Sequence, residues 1–234
     1  MRKVLGCLSK TPIHLMYLEL GWLPIRFIIQ SRRLNFLKYI LDQKETSLVK
    51  QVFNEQISKP QKSDWVNIVA KDMRKLKITL THEEITLMSK NVFKQIVKQK
   101  CEENGLEYLK HCIKSKGKEM NYEKLEMRNY LASESFLTLQ EKKEAFMIRT
   151  RMTEVKTNYK NKHNDYNCVA CEKKNNYNEE TQEHIYYCHQ INHNSEEFEN
   201  IFKNTHETKV IKQITKQYTK NMKERKKLLP KLKC

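Results

Sequence analysis

Three cysteines and one histidine in the last third of the chain have the spacing of a metal site. Cys168 and Cys171 are separated by two residues, His184 follows after twelve more, and Cys188 after a further three. Tetrahedral zinc needs two thiolates on a tight turn and two further ligands one helical turn apart. The pattern therefore predicts a closed structural Zn²⁺ site, because four protein ligands leave no position for a reactive water. The alternatives are that the four residues are unrelated, or that His189 replaces Cys188.

The segment around these ligands has no other source of stability. Residues 158–180 are rich in Asn, Lys, Tyr and Cys and contain almost no aliphatic side chains, so they cannot bury a core of their own. A short helix that starts at Thr181 would carry His184 and Cys188. We therefore expect three segments, namely a helical region over 1–157, a zinc knuckle over 158–192 and basic C-terminal helices over 193–234.

Glycine and proline are scarce, with four of each in 234 residues, which excludes a loop-rich all-β protein. Hydrophobic residues make up 38% of the chain against 31% charged residues. Such a composition forms a thin core spread over several amphipathic helices. The sequence therefore predicts a mainly α-helical protein, an elongated array of helices.

Two helix starts carry the capping-box pattern, in which a Thr and a Glu three residues later bond to each other's backbone N–H groups. They begin at Thr81 and Thr138. From Thr81 we expect one long helix that extends through Val97 and that Asn104 and Gly105 end or kink.

The chain carries 45 Lys and Arg against 28 Asp and Glu, a formal charge of +17. An excess of this size repels itself unless a polyanion neutralises it. We favour RNA or DNA as that polyanion; an anionic membrane and an ordinary solvated surface are the alternatives.

Six lysines in the last predicted helix recur every three or four residues and therefore share one narrow face, here called the lysine face. They are Lys209, Lys212, Lys216, Lys220, Lys223 and Lys227. The opposite side carries Ile211, Ile214, Tyr218, Met222 and Leu229. This separation predicts a helix that docks by its apolar side and presents ammonium groups to phosphates, although a solvated lysine surface shows the same pattern.

Two pairs of arginines add guanidinium groups, Arg32 with Arg33 and Arg149 with Arg151. Arginine binds phosphate in a bidentate manner but also forms structural ion pairs, and both interpretations remain open. The tyrosines near the metal motif either stack on unpaired bases or pack over the small zinc module. They are Tyr166, Tyr177, Tyr186 and Tyr187.

The seven cysteines are an odd number, and only three of them cluster, which argues against a disulfide framework and for a reducing compartment. The apolar run Val4–Leu8 is too short for the core of a signal peptide, and no stretch has the length of a transmembrane helix. We therefore expect a nuclear or cytoplasmic protein that is not secreted and does not engage a membrane.

The sequence contains no complete catalytic centre. Its four aspartates, Asp42, Asp64, Asp72 and Asp165, are far apart, whereas a nucleic-acid polymerase needs a close pair of metal-binding carboxylates. The glycine-rich phosphate-binding loops and the nucleophile-elbow pattern are also missing.

Several short motifs, in this order, resemble the C-terminal part of the polyprotein of non-LTR retrotransposons, the part that follows the reverse-transcriptase palm. They are Thr11–Ile13, Gly21–Arg26, Arg32–Leu34, Arg149–Met152 and the Cys168–Cys188 motif with Thr181–His184 before its last ligand. The resemblance implies a helical thumb or linker followed by a CCHC zinc knuckle, with Cys168, Cys171, His184 and Cys188 as ligands. It further implies binding of element RNA and target DNA during target-primed reverse transcription. The fingers, the palm and any recognisable endonuclease are missing, so the resemblance does not extend polymerase activity to this chain.

Three functions remain open from the sequence. The first is a nucleic-acid-binding segment of a retroelement protein, and the second is a helical zinc-binding module of the host that holds protein partners. The third is a piece of an enzyme, an RNA-directed DNA polymerase, whose active residues lie upstream. The residues favour none of the oligomeric states, and they favour neither RNA nor DNA.

Overall fold

The computed structural model describes residues 11–114, 122–153, 155, 157, 165–172, 178–188, 198, 201 and 208–228. Within these ranges the chain is mainly helical, and the only β contact is one antiparallel bridge between Asn167 and Glu179. The predicted fold class is confirmed, including a basic C-terminal helix and a small Cys/His cluster. The α-helices are α1 Ile13–Leu20, α2 Ile25–Leu41, α3 Leu48–Ser58, α4 Trp65–Lys75, α5 His82–Leu87, α6 Lys90–Lys114, α7 Leu139–Arg149, α8 Val169–Glu172, α9 Gln182–Tyr187 and α10 Thr208–Leu228.

The chain divides into two compact units, each with its own hydrophobic core. The helical unit comprises Gly21–Lys118 with Tyr122–Leu125. The cysteine unit comprises Met1–Leu20, Glu119–Asn121 and Glu126–Cys234. None of the helices in the described part of the chain combines the length and the apolar character needed to cross a membrane.

In the helical unit, α2 provides the central packing surface. It begins directly after Pro24, whose carbonyl oxygen accepts a hydrogen bond from the N–H of Phe27 at 2.9 Å. Proline suits this position because its fixed φ is compatible with a helix start and it lacks an N–H that would need a partner. Phe27, Leu34 and Leu37 lie on one face of α2, are at most 5% exposed and pack in the same core as the inward face of α6.

The capping box at Thr81 is confirmed, but the single long helix expected to follow it is wrong. The helix α5 ends at Leu87, and Met88 is extended, with φ −74° and ψ 148°. The Ser89 side chain then accepts a hydrogen bond from the N–H of Val92 at 3.3 Å and so begins a new helix, α6.

Gly105 does not end or kink the second of these helices, since α6 continues through it to Lys114. A Cβ atom at Gly105 would lie 2.5 Å from Leu23 Cδ1. The glycine therefore permits the close approach of Leu23 to the backbone of α6, a packing role that outweighs its low helix propensity.

In the cysteine unit, α7 and α10 pack against each other and against the segment that carries the metal motif. The capping box at Thr138 is confirmed and begins α7. The shared core contains Met16 of α1, Phe146 of α7, Ile185 of α9 and Ile214 of α10, each at most 1% exposed. The described residues of the expected zinc knuckle thus share one core with helices from both ends of the chain.

Candidate metal centre and basic helix face

The four residues of the motif Cys168, Cys171, His184 and Cys188 lie together. The Cys171 sulfur is 3.3 Å from Nε2 of His184 and 3.6 Å from the Cys188 sulfur, and the sulfurs of Cys168 and Cys188 are 4.0 Å apart. All four ligand atoms lie within 4.8 Å of one another, and the three cysteines are at most 3% exposed. Three thiolates and one imidazole at these distances could bind a metal ion.

Local structure places each of these four side chains. Cys168 directly precedes the short helix α8, and Cys171 lies within it. The Thr181 side chain accepts a hydrogen bond from the N–H of His184 at 2.9 Å and so caps α9, which carries His184 and ends directly before Cys188. The expected short helix from Thr181 is confirmed, but it ends at Tyr187, so it carries His184 while Cys188 follows it in an extended conformation.

A backbone pairing that the sequence analysis missed brings the two halves of the motif together. The N–H of Cys168 donates to the carbonyl of Asn178 at 2.7 Å, and the N–H of Glu180 donates to the carbonyl of Tyr166 at 2.6 Å. These bonds flank the bridge between Asn167 and Glu179. In the described residues of this segment, backbone hydrogen bonds thus add to the contacts of the ligand cluster.

The apolar side and the lysine face of α10 are on opposite sides of the helix, as its sequence predicts. Ile211, Ile214 and Tyr218 on its inner side are at most 3% exposed. Burial raises the pKa of the Tyr218 hydroxyl, so this group stays neutral. It donates a hydrogen bond to Oγ1 of Thr153 at 2.9 Å. Leu229, the last apolar residue expected on this side, lies outside the described residues.

Five of the six lysines of the lysine face are exposed, namely Lys209, Lys216, Lys220, Lys223 and Lys227. The half-buried Lys212 instead donates to the carbonyl of Phe136 at 3.0 Å and lies 3.8 Å from the Glu141 carboxylate. Lys227 forms an exposed ion pair with Glu224 at 2.7 Å, of the kind that contributes little to stability. The lysine face is therefore open to solvent along most of its length.

Two polar residues on the inner side of α10 fix the helix to the segment that carries the Cys/His motif. The Asn221 amide donates to the carbonyls of Ile185 and Tyr186, each at 3.0 Å. Arg225 pairs with the carboxylate of Glu180, and both side chains are at most 5% exposed. The sequence offers one signal for this contact, because Arg225 follows Ile211, Ile214 and Tyr218 at helical spacing and so lies on the inner side.

The four arginines expected to bind phosphate differ in their exposure to solvent. Arg149 is 1% exposed and its guanidinium contacts the Glu19 carboxylate at 3.0 Å, which places it in a structural ion pair and away from any surface that a polyanion could reach. Arg33 pairs with Asp72 at 2.8 Å. Arg32 is exposed, and Arg151 is about half exposed and 3.7 Å from Glu183. The two exposed arginines belong to different units.

The tyrosines near the metal motif also separate into two groups. Tyr186 is 1% exposed and its ring packs against Phe198 with centroids 5.0 Å apart, so it belongs to the core. Tyr187 is 41% exposed, and Tyr166 is half-buried. Tyr177 and His189, the alternative ligand, lie outside the described residues.

Comparison with known proteins gives no relatives. No protein-family model and no curated protein matches the sequence, and no solved structure matches the fold.

Proposed function

We propose that this chain binds nucleic acid through the lysine face of α10, and that Zn²⁺ in the Cys/His cluster stabilises the unit that carries this helix. The observation that carries the proposal is the row of five exposed lysines on a helix whose other side is buried against the segment that carries the Cys/His motif. On a helix with 100° per residue, the six lysines span an arc of about 80°. Successive lysines of the row lie about 4.5–6 Å apart along the helix axis, so the row can place several ammonium groups near a phosphate backbone at once.

The geometry and the donor atoms of the cluster suit zinc. Zinc bonds of about 2.3 Å to sulfur and about 2.0 Å to nitrogen give a tetrahedron with edges of about 3.8 Å between sulfurs and about 3.6 Å between sulfur and nitrogen. The distances of 3.3, 3.6 and 4.0 Å between ligand atoms are close to these values. Cys₃His is a common donor set of structural zinc sites, and with four protein ligands it offers no open position for hydrolytic chemistry.

Nucleic acid explains the charge better than the alternatives do. The formal charge of +17 on 234 residues is unfavourable for a chain that meets no polyanion. An amphipathic membrane helix would have its apolar side available to lipid, whereas the apolar side of α10 is buried in the cysteine unit. The exposed lysines predict an affinity that depends steeply on salt and little on base sequence.

The resemblance to the C-terminal part of non-LTR retrotransposon proteins extends the proposal. On this basis the chain positions element RNA and target DNA for reverse transcription without a catalytic site of its own, in the nucleus or the cytoplasm. Polymerase chemistry would belong to a protein region with the palm carboxylates, which this sequence lacks.

The experiment measures binding of the zinc-loaded chain to single-stranded RNA, to duplex DNA and to anionic vesicles over a salt series. The lysine-face variant K209Q/K216Q/K220Q should bind more weakly and lower the salt slope by about two units, because each phosphate contact releases about 0.7–0.9 of a counterion.

A matched control variant removes the same charge from the helical unit. Lys71, Lys75 and Lys90 are exposed there, so K71Q/K75Q/K90Q leaves the lysine face intact. Retention of the wild-type slope by this control supports a dedicated surface. Equal losses in both variants, or binding to vesicles alone, would contradict the proposal.

A further inference from the structure

A cleft of about 500 Å³ lies between α7 and α10, beside the lysine face. Its apolar lining comes from Met147 and Ile148 of α7 and from Tyr218 and Met222 of α10. The other seven of its eleven lining residues are polar or charged, and clefts of this size that combine apolar and polar groups are typical of sites for small organic groups. The cleft is large enough for a nucleobase.

Three lysines line this cleft from both helices, Lys143 of α7 and Lys223 and Lys226 of α10. Lys223 and Lys226 are exposed, so their ammonium groups lie on the solvent side of the cleft. Lys223 is also a member of the lysine face. A phosphate backbone that follows the lysine face therefore passes the opening of the cleft.

One carboxylate, that of Glu144, is held in a fixed orientation in the cleft. Its Oε1 accepts a hydrogen bond from the Gln140 amide and its Oε2 accepts one from the Thr219 hydroxyl, each at 2.8 Å. Each carboxylate oxygen can accept two hydrogen bonds, so both retain capacity for a further donor. A carboxylate repels phosphate but accepts hydrogen bonds from the exocyclic amino groups of cytosine, adenine and guanine.

We infer that the cleft receives one unpaired, amino-bearing nucleobase of a single strand whose phosphates lie along the lysine face, an inference that rests on the proposed function. The apolar lining contacts the base, the Glu144 carboxylate accepts from its amino group, and Lys143, Lys223 and Lys226 neutralise the adjoining phosphates. A base inside a duplex cannot enter, because it is stacked and its edge is paired. The cleft thus gives the chain a preference for single strands that the lysine face alone would not produce.

The test compares strands of one length at one salt concentration: cytidine, uridine and deoxycytidine strands, a phosphodiester strand without bases, and a duplex. The cytidine strand should bind about tenfold more tightly than the strand without bases, as expected for one nucleobase contact. E144Q should reduce the preference for cytidine over uridine and leave the salt slope unchanged. The variant K209Q/K216Q/K220Q should instead weaken binding to every strand, including the strand without bases.

Photochemical cross-linking of the unsubstituted chain to a 5-bromocytidine strand gives a measurement that does not depend on how E144Q folds. Cross-linked peptides should come from α7 and α10 near Met147, Tyr218 and Met222. Equal affinity for strands with and without bases, or cross-links confined to other helices, would overturn the cleft inference and leave the lysine-face proposal intact. Failure of all strands to bind would overturn both.

Discussion

At the scale of single residues, the buried pair of Glu19 and Arg149 is the most consequential contact in the cysteine unit. Glu19 is fully buried, and its Oε2 also accepts a hydrogen bond from the Tyr130 hydroxyl at 2.7 Å. Arg149 in addition donates to the carbonyl of Ile201. The pair therefore connects α1 with α7 and with the segment that precedes α10.

Removal of the arginine should be far more harmful than the loss of one surface charge. We expect R149M to lower the free energy of unfolding by about 3–5 kcal/mol, because it leaves the Glu19 carboxylate buried without its cation. The double variant E19M/R149M should recover part of that loss. Denaturant unfolding measures both variants.

Arg33 provides the control for this prediction. Its side chain is 31% exposed, and its partner Asp72 keeps a hydrogen bond from Gln30 at 2.9 Å. Asp72 is itself 4% exposed, but Arg33 is partly exposed and water can reach the space that it leaves, so R33M should cost less than R149M. An R149M protein within about 1 kcal/mol of wild type would contradict the cost assigned here to the unpaired Glu19 carboxylate.

At the scale of helices, the start of α7 is sensitive to pH. The N–H of Thr138 donates to the Glu141 carboxylate at 2.8 Å, and this bond, with a smaller contribution from Lys212 and Lys216, lowers the pKa of Glu141 below its ordinary value of 4.5. A carboxyl whose pKa is lower in the folded state stabilises the fold above its unfolded pKa. That stability is lost as the pH falls from about 4.5, the ordinary pKa of the carboxyl, through its lower pKa in the folded state.

The variant E141Q should isolate this contribution, since glutamine keeps the capping geometry but carries no charge. Wild type should be more stable than E141Q at neutral pH by less than about 1 kcal/mol, the usual size of the interaction between one carboxylate and a helix N-terminus. The difference should shrink as the pH falls below about 4.5 and vanish once the Glu141 carboxyl is protonated in the folded state as well. Thermal unfolding at several pH values measures it, with E126Q, a change at an exposed glutamate, as the control. A difference that persists in acid would contradict the role of the Glu141 charge.

The helices also show which features could be predicted from the sequence. Both capping boxes and the Cys/His cluster could be predicted because their signals lie within a few residues or follow a fixed spacing. The new start at Ser89 is likewise local and was missed because Ile85 and Val92 continue the apolar pattern across it. The structural role of Arg149 could not be predicted, since its partner Glu19 lies 130 residues away. The helical spacing of Arg225 places it on the inner side of α10, but its partner Glu180 could not be predicted, since the two residues are 45 positions apart.

At the scale of the whole molecule, the two units have separate cores, and only one of them contains the Cys/His cluster. Cys101 lies in the core of the helical unit, 1% exposed, and burial raises the pKa of its thiol to about 11. It is therefore an internal reporter for the integrity of that unit, because the thiolate is the reactive form.

Removal of zinc by a chelator should unfold the cysteine unit and leave the helical unit folded, since structural zinc contributes about 10 kcal/mol or more of binding free energy. Alkylation of the cysteines followed by peptide mapping measures which thiols become accessible. Cys168, Cys171 and Cys188 should react only after chelation, whereas Cys101 should stay unmodified in both conditions. Modification of Cys101 at the same rate as the other three would show that the two units unfold together, and rapid modification before chelation would argue against a bound metal.

The arrangement of α10 has a consequence for how ligand and fold influence each other. Its lysines are neighbours at three- and four-residue spacing, so they repel one another and would weaken the helix in isolation. Asn221, Arg225 and the buried apolar side hold the helix together against this repulsion. A polyanion that neutralises the lysines relieves the repulsion and so favours the folded cysteine unit. A bound polyanion would thus stabilise the fold of the protein that binds it. The protein without a bound polyanion would be the form most exposed to loss of zinc and to degradation.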